Sequence, residues 1–374
     1  MTDKLPFTRP DIDAETIAGV VEVLRTGWLA SGPMVQRFEQ ELSTYVGGRA
    51  VRVMTSATEA LEIALNAAGI GLGDEVITTP LSWCATANVI LRVGARPVFV
   101  DIDLDTRNLS LAAAEAAVTP RTRAIMPVHF SGLPLDLDAL YAFAQRHGLR
   151  VIEDAAHAIG SSWRGQRIGS VGDFVCFSFH PNKNITTGEG GAIVARSQDD
   201  IRYIEQARFN GVERGAHGEL DVLFPGMKSN MSDIAARIGL GQLPRLEEFN
   251  AKRRALAQHY FKRWSGSSPV RLPAPGDAGH SWHMFAPLLP VDSGRITRAV
   301  FIDQMRAVGI AVGVHYPAIH LFSAYRKLGW EPGDFPNAEQ VGRETVTLPL
   351  FPAMTIADVD RVVDAVDHIL GSKS

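Results

Sequence analysis

Short apolar runs alternate with longer stretches of helical period through most of the chain. Strand-like segments are read at Val51–Met54, Glu75–Thr79, Pro97–Val100, Ala124–Val128, Val151–Glu153, Phe174–Phe179 and Ala192–Ala195. Helical patterns lie between most of them, around Ala57–Ala68, Ala85–Val93, Leu111–Val118 and Leu137–Arg146. Strands that are apolar throughout, each followed by a helix, predict an α/β fold with a mainly parallel sheet covered on both faces. In such a sheet, ligands gather beyond the carboxyl ends of the strands. A long helical pattern follows from about Ser232 to Trp264, opened by the capping pair Ser232-Asp233. The stretch Ser265–Gly279 is rich in Gly, Pro and Ser and reads as a boundary loop. Shorter elements come after it, in the order strand, helix, strand and then helices. Two units are therefore expected: a large domain over residues 1–250, and a connecting helix with a small C-terminal α/β domain over residues 251–374.

Composition narrows the class. The chain has 374 residues, 46% of them hydrophobic, which is ample for a large core and suggests two domains. With 37 basic against 41 acidic residues and a formal charge of -4, nothing points to nucleic acid or a membrane surface. The two cysteines, Cys84 and Cys176, sit in apolar contexts, so a reducing compartment is expected rather than a disulfide framework. The opening residues are polar and lack the apolar core of a signal peptide, and no apolar run approaches bilayer length. A cytoplasmic location is expected, and no metal is expected at the site.

Four segments carry candidate chemistry. In Phe177–Gly191, FSFHPNKNITTGEGG, a strand ends and a loop presents Ser178, His180 and Lys183 before a Gly-rich turn. A lysine between buried strands is placed to lose its proton and act as a nucleophile; the alternative is a solvated loop lysine. In Val151–His157, VIEDAAH, Asp154 closes a strand, where it meets a cofactor ring nitrogen or, alternatively, caps a helix. Thr55-Ser56-Ala57-Thr58 precedes an amphipathic helix; hydroxyls and free N–H groups there suit a phosphate, with plain N-capping as the alternative. Trp83 follows a strand and either stacks on a flat ring or fills the core. In this order the four supply a phosphate grip, a ring stack, a pyridinium partner and a Schiff-base amine.

With those residues in place, the chain resembles the DegT/DnrJ/EryC/StrS sugar aminotransferases of the aspartate-aminotransferase-type, pyridoxal-phosphate (PLP) type I fold. The resemblance runs through TGWLASGPMVQRFEQEL, TSATEAL, GDEVITTPLSWCATAN, PVHFSG, VIEDAAHAIG and FSFHPNKNITTGEGGAIV to GMKSNMSDIAARIGLGQL, SWHMF, HYPAIH and LPLFPAMT. It implies a seven-stranded sheet between helices. VIEDAAHA, GMKSNMSDIAA, SWHMF and LPLFPAMT are most similar to the UDP-4-amino-4-deoxy-L-arabinose–oxoglutarate aminotransferase branch. HYPAIH departs at Tyr316 and Pro317 from the more basic loop of that branch. The resemblance implies PLP on Lys183, Asp154 at the pyridine nitrogen, Trp83 on the ring and His157 beside the cofactor. It implies phosphate contacts from Ser56, Ala57, Thr58 and Ser178, and from Lys228 of a neighbouring subunit. Trp28, Leu29, His315, Tyr316 and His320 are the substrate-side candidates. The implied reaction moves an amino group from L-glutamate to a nucleotide-linked keto-sugar, at C4, in a homodimer with shared sites. A PLP sugar dehydratase, in which histidine replaces the lysine, and a non-catalytic regulator are the rival readings.

Overall fold

A computed structural model describes residues 4–371 except 216 and 295. The strands are β1 Val51–Met54, β2 Glu75–Thr78, β3 Arg96–Phe99, β4 Thr122–Met126 and β5 Arg150–Asp154. Then come the short pair β6 Ser162–Trp163 and β7 Gln166–Arg167, followed by β8 Phe174–Ser178, β9 Gly191–Val194, and the exposed hairpin β10 Val212–Arg214 and β11 Leu220–Val222. Seven of them form one sheet in the order β1-β9-β8-β5-β4-β2-β3. Only β9 runs against its neighbours β8 and β1; every other pairing is parallel. All seven expected strands are present, with ends shifted by at most two residues.

Burial on both faces explains why these strands read as unbroken apolar runs. Val51, Val53, Ile125, Val151, Val175 and Val194 face one core, with Phe38, Leu140, Phe143 and Phe249. Their alternates Met54, Ala124, Ile152, Phe174, Cys176 and Ile193 face a second core, with Leu61, Leu65, Val89 and Ile204. The helices covering the sheet are α1 Ala14–Thr26, α2 Pro33–Tyr45, α3 Ala57–Ala67, α4 Ala85–Arg92, α5 Leu111–Ala117, α6 Leu137–His147 and α7 Gln198–Ala207.

The long helix expected from Ser232 is two helices, α8 Asp233–Gln242 and α9 Leu246–Arg263, joined by a tight turn at Leu243–Arg245. Pro244 lies in that turn; it has no N–H to give an α-helix and crowds the preceding turn. Ser232 caps α8 as expected, its hydroxyl accepting from the Ala235 amide (3.2 Å). Asp233 caps a different helix: its carboxylate accepts from Gly32, Met34 and Val35 at the start of α2 (2.8, 3.1 and 3.0 Å). A third core holds Leu256, Tyr260 and Trp264 of α9 with Phe285, Phe301, Leu348 and Val363. The strands expected after residue 279 are single bridges instead, Arg271 with Leu288, Phe285 with Leu348 and Gly313 with Thr347. Among the described residues no helix is long and apolar enough to cross a membrane.

Candidate active site

The parallel strands β1, β2, β4, β5 and β8 end at one edge of the sheet, and there a cavity of about 380 Å³ opens. Lys183 reaches it because the chain returns from β8 to β9 without a crossover helix. The return loop is pinned at its base by Phe179 N–H to the Gly190 carbonyl (2.9 Å) and Thr187 N–H to the Phe179 carbonyl (3.0 Å). Asn184 anchors its middle, donating to Asn250 Oδ1 (2.6 Å) and the Ser281 carbonyl (2.9 Å). Gly191 is needed where the loop rejoins the sheet: a Cβ there would lie 2.4–2.5 Å from backbone atoms of Ser56 and Ala57. The close approach brings Ser178, Gly190 and the start of α3 around one end of the cavity.

Desolvation pushes the Lys183 amine down to about 8, against the attraction of Asp154. Lys183 is half-buried and lines the cavity. Asp154 is 4% exposed, and burial raises its carboxyl above the usual carboxylate range. Hydrogen bonds from the Thr86 hydroxyl (2.8 Å) and the Ala156 amide (3.1 Å), together with the charge of Lys183, oppose that rise. Asp154 therefore closes a local turn with Ala156 rather than capping a helix. Ser56 does cap α3, accepting from the Glu59 amide (3.2 Å), while Ser56, Ala57 and Thr58 also line the cavity. Trp83 is 60% exposed at the cavity and tilted 50° to the Tyr316 ring, so it is not a core residue.

His157 is buried beside Asp154. Its Nδ1 accepts from the Ser131 amide (3.3 Å), which leaves Nε2–H to donate to the Tyr316 hydroxyl oxygen (3.2 Å). The ring also packs on His283, 4.5 Å between centroids. Burial and the nearby Lys183 charge hold His157 and His283 well below the ordinary histidine value and His315 at about 4, so all three are neutral. His315 bonds the Thr347 hydroxyl (2.8 Å) and stacks on Phe7, presenting its other edge to the cavity.

Four sequence candidates lie elsewhere. His320 is fully buried and bonds Glu339 (3.0 Å), with the Phe335 ring edge-on; it does not line the cavity, and its substrate-side assignment is corrected. Trp28 is 59% exposed, its indole N–H donating to the Ser31 carbonyl (3.3 Å), and Leu29 is exposed beside it; neither lines the cavity. Lys228 is exposed outside the cavity, its ammonium bonded to Asn230 and 4.8 Å over the Phe209 ring. Thr86 was missed, although a hydroxyl one turn beyond Trp83 at a helix start is a signal for it. His283 was missed as well; its approach to His157 comes from the far part of the chain and has no local signature.

The fold and the cavity define a type I, PLP-using α/β enzyme. The sequence profile of the DegT/DnrJ/EryC1/StrS aminotransferase family matches residues 10–367, and the chain belongs to that family. It is 41% identical over 377 residues to the spore coat polysaccharide biosynthesis protein SpsC of Bacillus subtilis (strain 168), covering 98% of this chain and 97% of the relative. The PLP form of the putative sugar aminotransferase Spr1654 from Streptococcus pneumoniae superposes with a TM-score of 0.92 at 31% identity, over 99% of both chains. DesI, solved in the presence of its TDP-sugar product, gives 0.89 at 30% identity, over 100% of this chain and 94% of DesI. The cofactor is pyridoxal 5′-phosphate, and the chain is a PLP-dependent sugar aminotransferase.

The residues present fit that cofactor. Lys183 offers a desolvated amine, Asp154 a buried carboxylate, and Trp83 an exposed ring face. The close backbone contact at Gly191, with Ser56, Thr58 and Ser178 around it, forms a cradle of hydroxyls at a helix start.

Proposed function

We propose that this enzyme takes the amino group of L-glutamate and places it on a nucleotide-linked keto-sugar, at C4. The observation that carries the reading is a lysine amine held at about 8 in the same cavity as a buried carboxylate. Bound there, PLP supplies an electrophilic carbon for an amine and a pyridinium that draws electrons from the bond being broken. Lys183 holds the cofactor at rest. Its Nζ would also be placed to move a proton at the donor's α-carbon, work that suits an amine held at about 8. Asp154 keeps the ring nitrogen protonated. Trp83 covers the ring face, and Ser56, Ala57, Thr58 and Ser178 hold the phosphate. His157 and Tyr316 form a fixed wall, and His315 and Tyr316 face the sugar.

The nucleotide-sugar substrate is supported by DesI and its TDP-sugar product. C4 rests on the likeness to the arabinose branch. Lys228, outside its own cavity, suits a contact with a partner subunit's phosphate, and the enzyme is read as a cytoplasmic homodimer. The division near residue 250 is part of the same reading; α9 passes from the sheet core at Phe249 to the third core at Leu256. The dehydratase is disfavoured by Lys183 itself. The regulator is disfavoured because no candidate at the lysine, the ring-nitrogen carboxylate or the phosphate cradle is missing.

The test is the absorbance of the holoenzyme before and after L-glutamate. Conversion of the resting cofactor band to that of the amine form, reversed by a nucleotide keto-sugar, is expected. A band that glutamate and other amino donors leave unchanged would overturn the transaminase reading. Reversal only by free sugars would remove the nucleotide.

A further inference from the structure

Asp154 is the end of a buried hydroxyl chain. The Thr86 hydroxyl donates to Asp154 Oδ2 (2.8 Å), and the Ser82 hydroxyl lies 2.8 Å from Thr86 Oγ1. Thr86 has one proton and spends it on the carboxylate, so Ser82 must be the donor in the second pair. The chain runs one way, from Ser82 to Thr86 to Asp154, and the three are 3%, 1% and 4% exposed. Thr86 stands in the first turn of α4, and Ser82 lies four residues earlier in the loop from β2, so the turn itself sets their spacing. On the other oxygen, the Ala156 amide holds Oδ1.

We propose that Thr86, oriented by Ser82, is a positioning residue that keeps Asp154 ionised and aimed at the cofactor's ring nitrogen. The inference rests on the reading of Asp154 as that partner. A buried carboxylate without donors would take up a proton and stop acting as a base. Of the influences holding Asp154 ionised, the Thr86 hydrogen bond is the largest, ahead of the Ala156 amide, Lys183 from the loop after β8, and His129 from the segment after β4. The other titratable groups facing it are neutral: Cys176 on β8 and Tyr316, both pushed up by burial and then by the charge of Asp154, and His157, held down by burial. None of them replaces the lost donor. The sign follows directly. Removing the Thr86 hydroxyl raises the Asp154 pKa, so the carboxylate is lost at a higher pH than in the wild type.

The experiment measures PLP affinity of the apoprotein by equilibrium dialysis from about pH 5 to 9. Wild type, Thr86→Val, Thr86→Ser, Ser82→Ala and Asp154→Asn are compared. Thr86→Val is expected to bind PLP roughly tenfold or more weakly at the acid end, the size of one hydrogen bond to a charge, with the acid fall-off displaced upward in pH. Ser82→Ala should move it the same way by less, and Thr86→Ser should restore the wild-type profile. A packing role would weaken binding equally at every pH. Acid limbs in Thr86→Val and Ser82→Ala that coincide with wild type, while Asp154→Asn is weak, overturn this inference alone; Ser82→Ala and Thr86→Ser decide the matter if the valine variant does not fold. Wild-type affinity in Asp154→Asn overturns the role of Asp154 and this inference with it.

Discussion

Burying the Lys183 amine has a thermodynamic consequence in the apoprotein, and its size can be worked out. The ordinary lysine value is 10.5, and in the fold desolvation brings it to about 8. That displacement is worth roughly 3 kcal/mol. Below pH 8 the amine is charged in both the folded and unfolded chains, so the fold bears the whole penalty. Between about pH 8 and 10.5 the unfolded amine still holds its proton and the folded one has released it. The unfolded state then binds more protons, so stability rises with pH across that window. Above 10.5 both amines are neutral and the penalty is gone. Apoprotein Lys183→Met removes the group. The stability difference, variant minus wild type, should therefore be about 3 kcal/mol larger near pH 7 than near pH 10.5. Urea unfolding at a series of pH values measures it, since the midpoint and slope give the free energy at each pH. A difference that is flat from pH 7 to 10.5 would refute the desolvated amine, and one that grows with pH would reverse its sign.

Other outcomes follow from the same geometry. Lys183→Ala should lose transamination by at least about a hundredfold, the smaller end of what a positioned acid–base group contributes, with circular dichroism unchanged; undiminished turnover without added amines would remove Lys183 from the reaction. Trp83→Ala should weaken PLP by about tenfold at most, read by dialysis, because an exposed ring loses stacking and little else; no change would leave the cofactor ring elsewhere. His320→Ala should lower unfolding stability by about 2 kcal/mol through its lost bond to Glu339, with KM and kcat per folded molecule unchanged; a selective rise in KM would return it to the substrate.

How much was legible depended on whether the governing contact was local. The seven strands were readable because burial on both faces makes each a short apolar run. Lys183 and Asp154 were readable because Asp154 stands at the end of β5 and Lys183 in the loop after β8, where a polar side chain has no sheet face to join. Ser232 was readable as a cap because its partner is three residues away. Asp233 was not, since the amides it caps belong to a helix formed two hundred residues earlier in the chain. His320 failed for the same reason in reverse: its motif resembled a binding loop, while its partner Glu339 lies 19 residues on, in the helix Pro336–Glu344, and draws it inward. The break at Pro244 was visible in the sequence and was outweighed by the helical composition around it.

The histidines complete the electrostatic argument. The lowering of the Lys183 amine comes from burial and not from a second cation repelling it. Three histidines nevertheless surround it, and each is neutral for a structural cause: His157 has Nδ1 committed to the Ser131 amide, His315 is bonded to Thr347, and His283 is enclosed with neither ring nitrogen partnered among the described residues. Desolvation holds all three neutral through the range in which Lys183 titrates. Asp154 is left as the buried carboxylate nearest that amine in effect, and it opposes the amine's loss of charge. The site thus sets two groups against their solution behaviour, a lysine that gives up its proton and an aspartate kept from taking one. The hydroxyl chain from Ser82 through Thr86 opposes the rise that burial imposes on that aspartate.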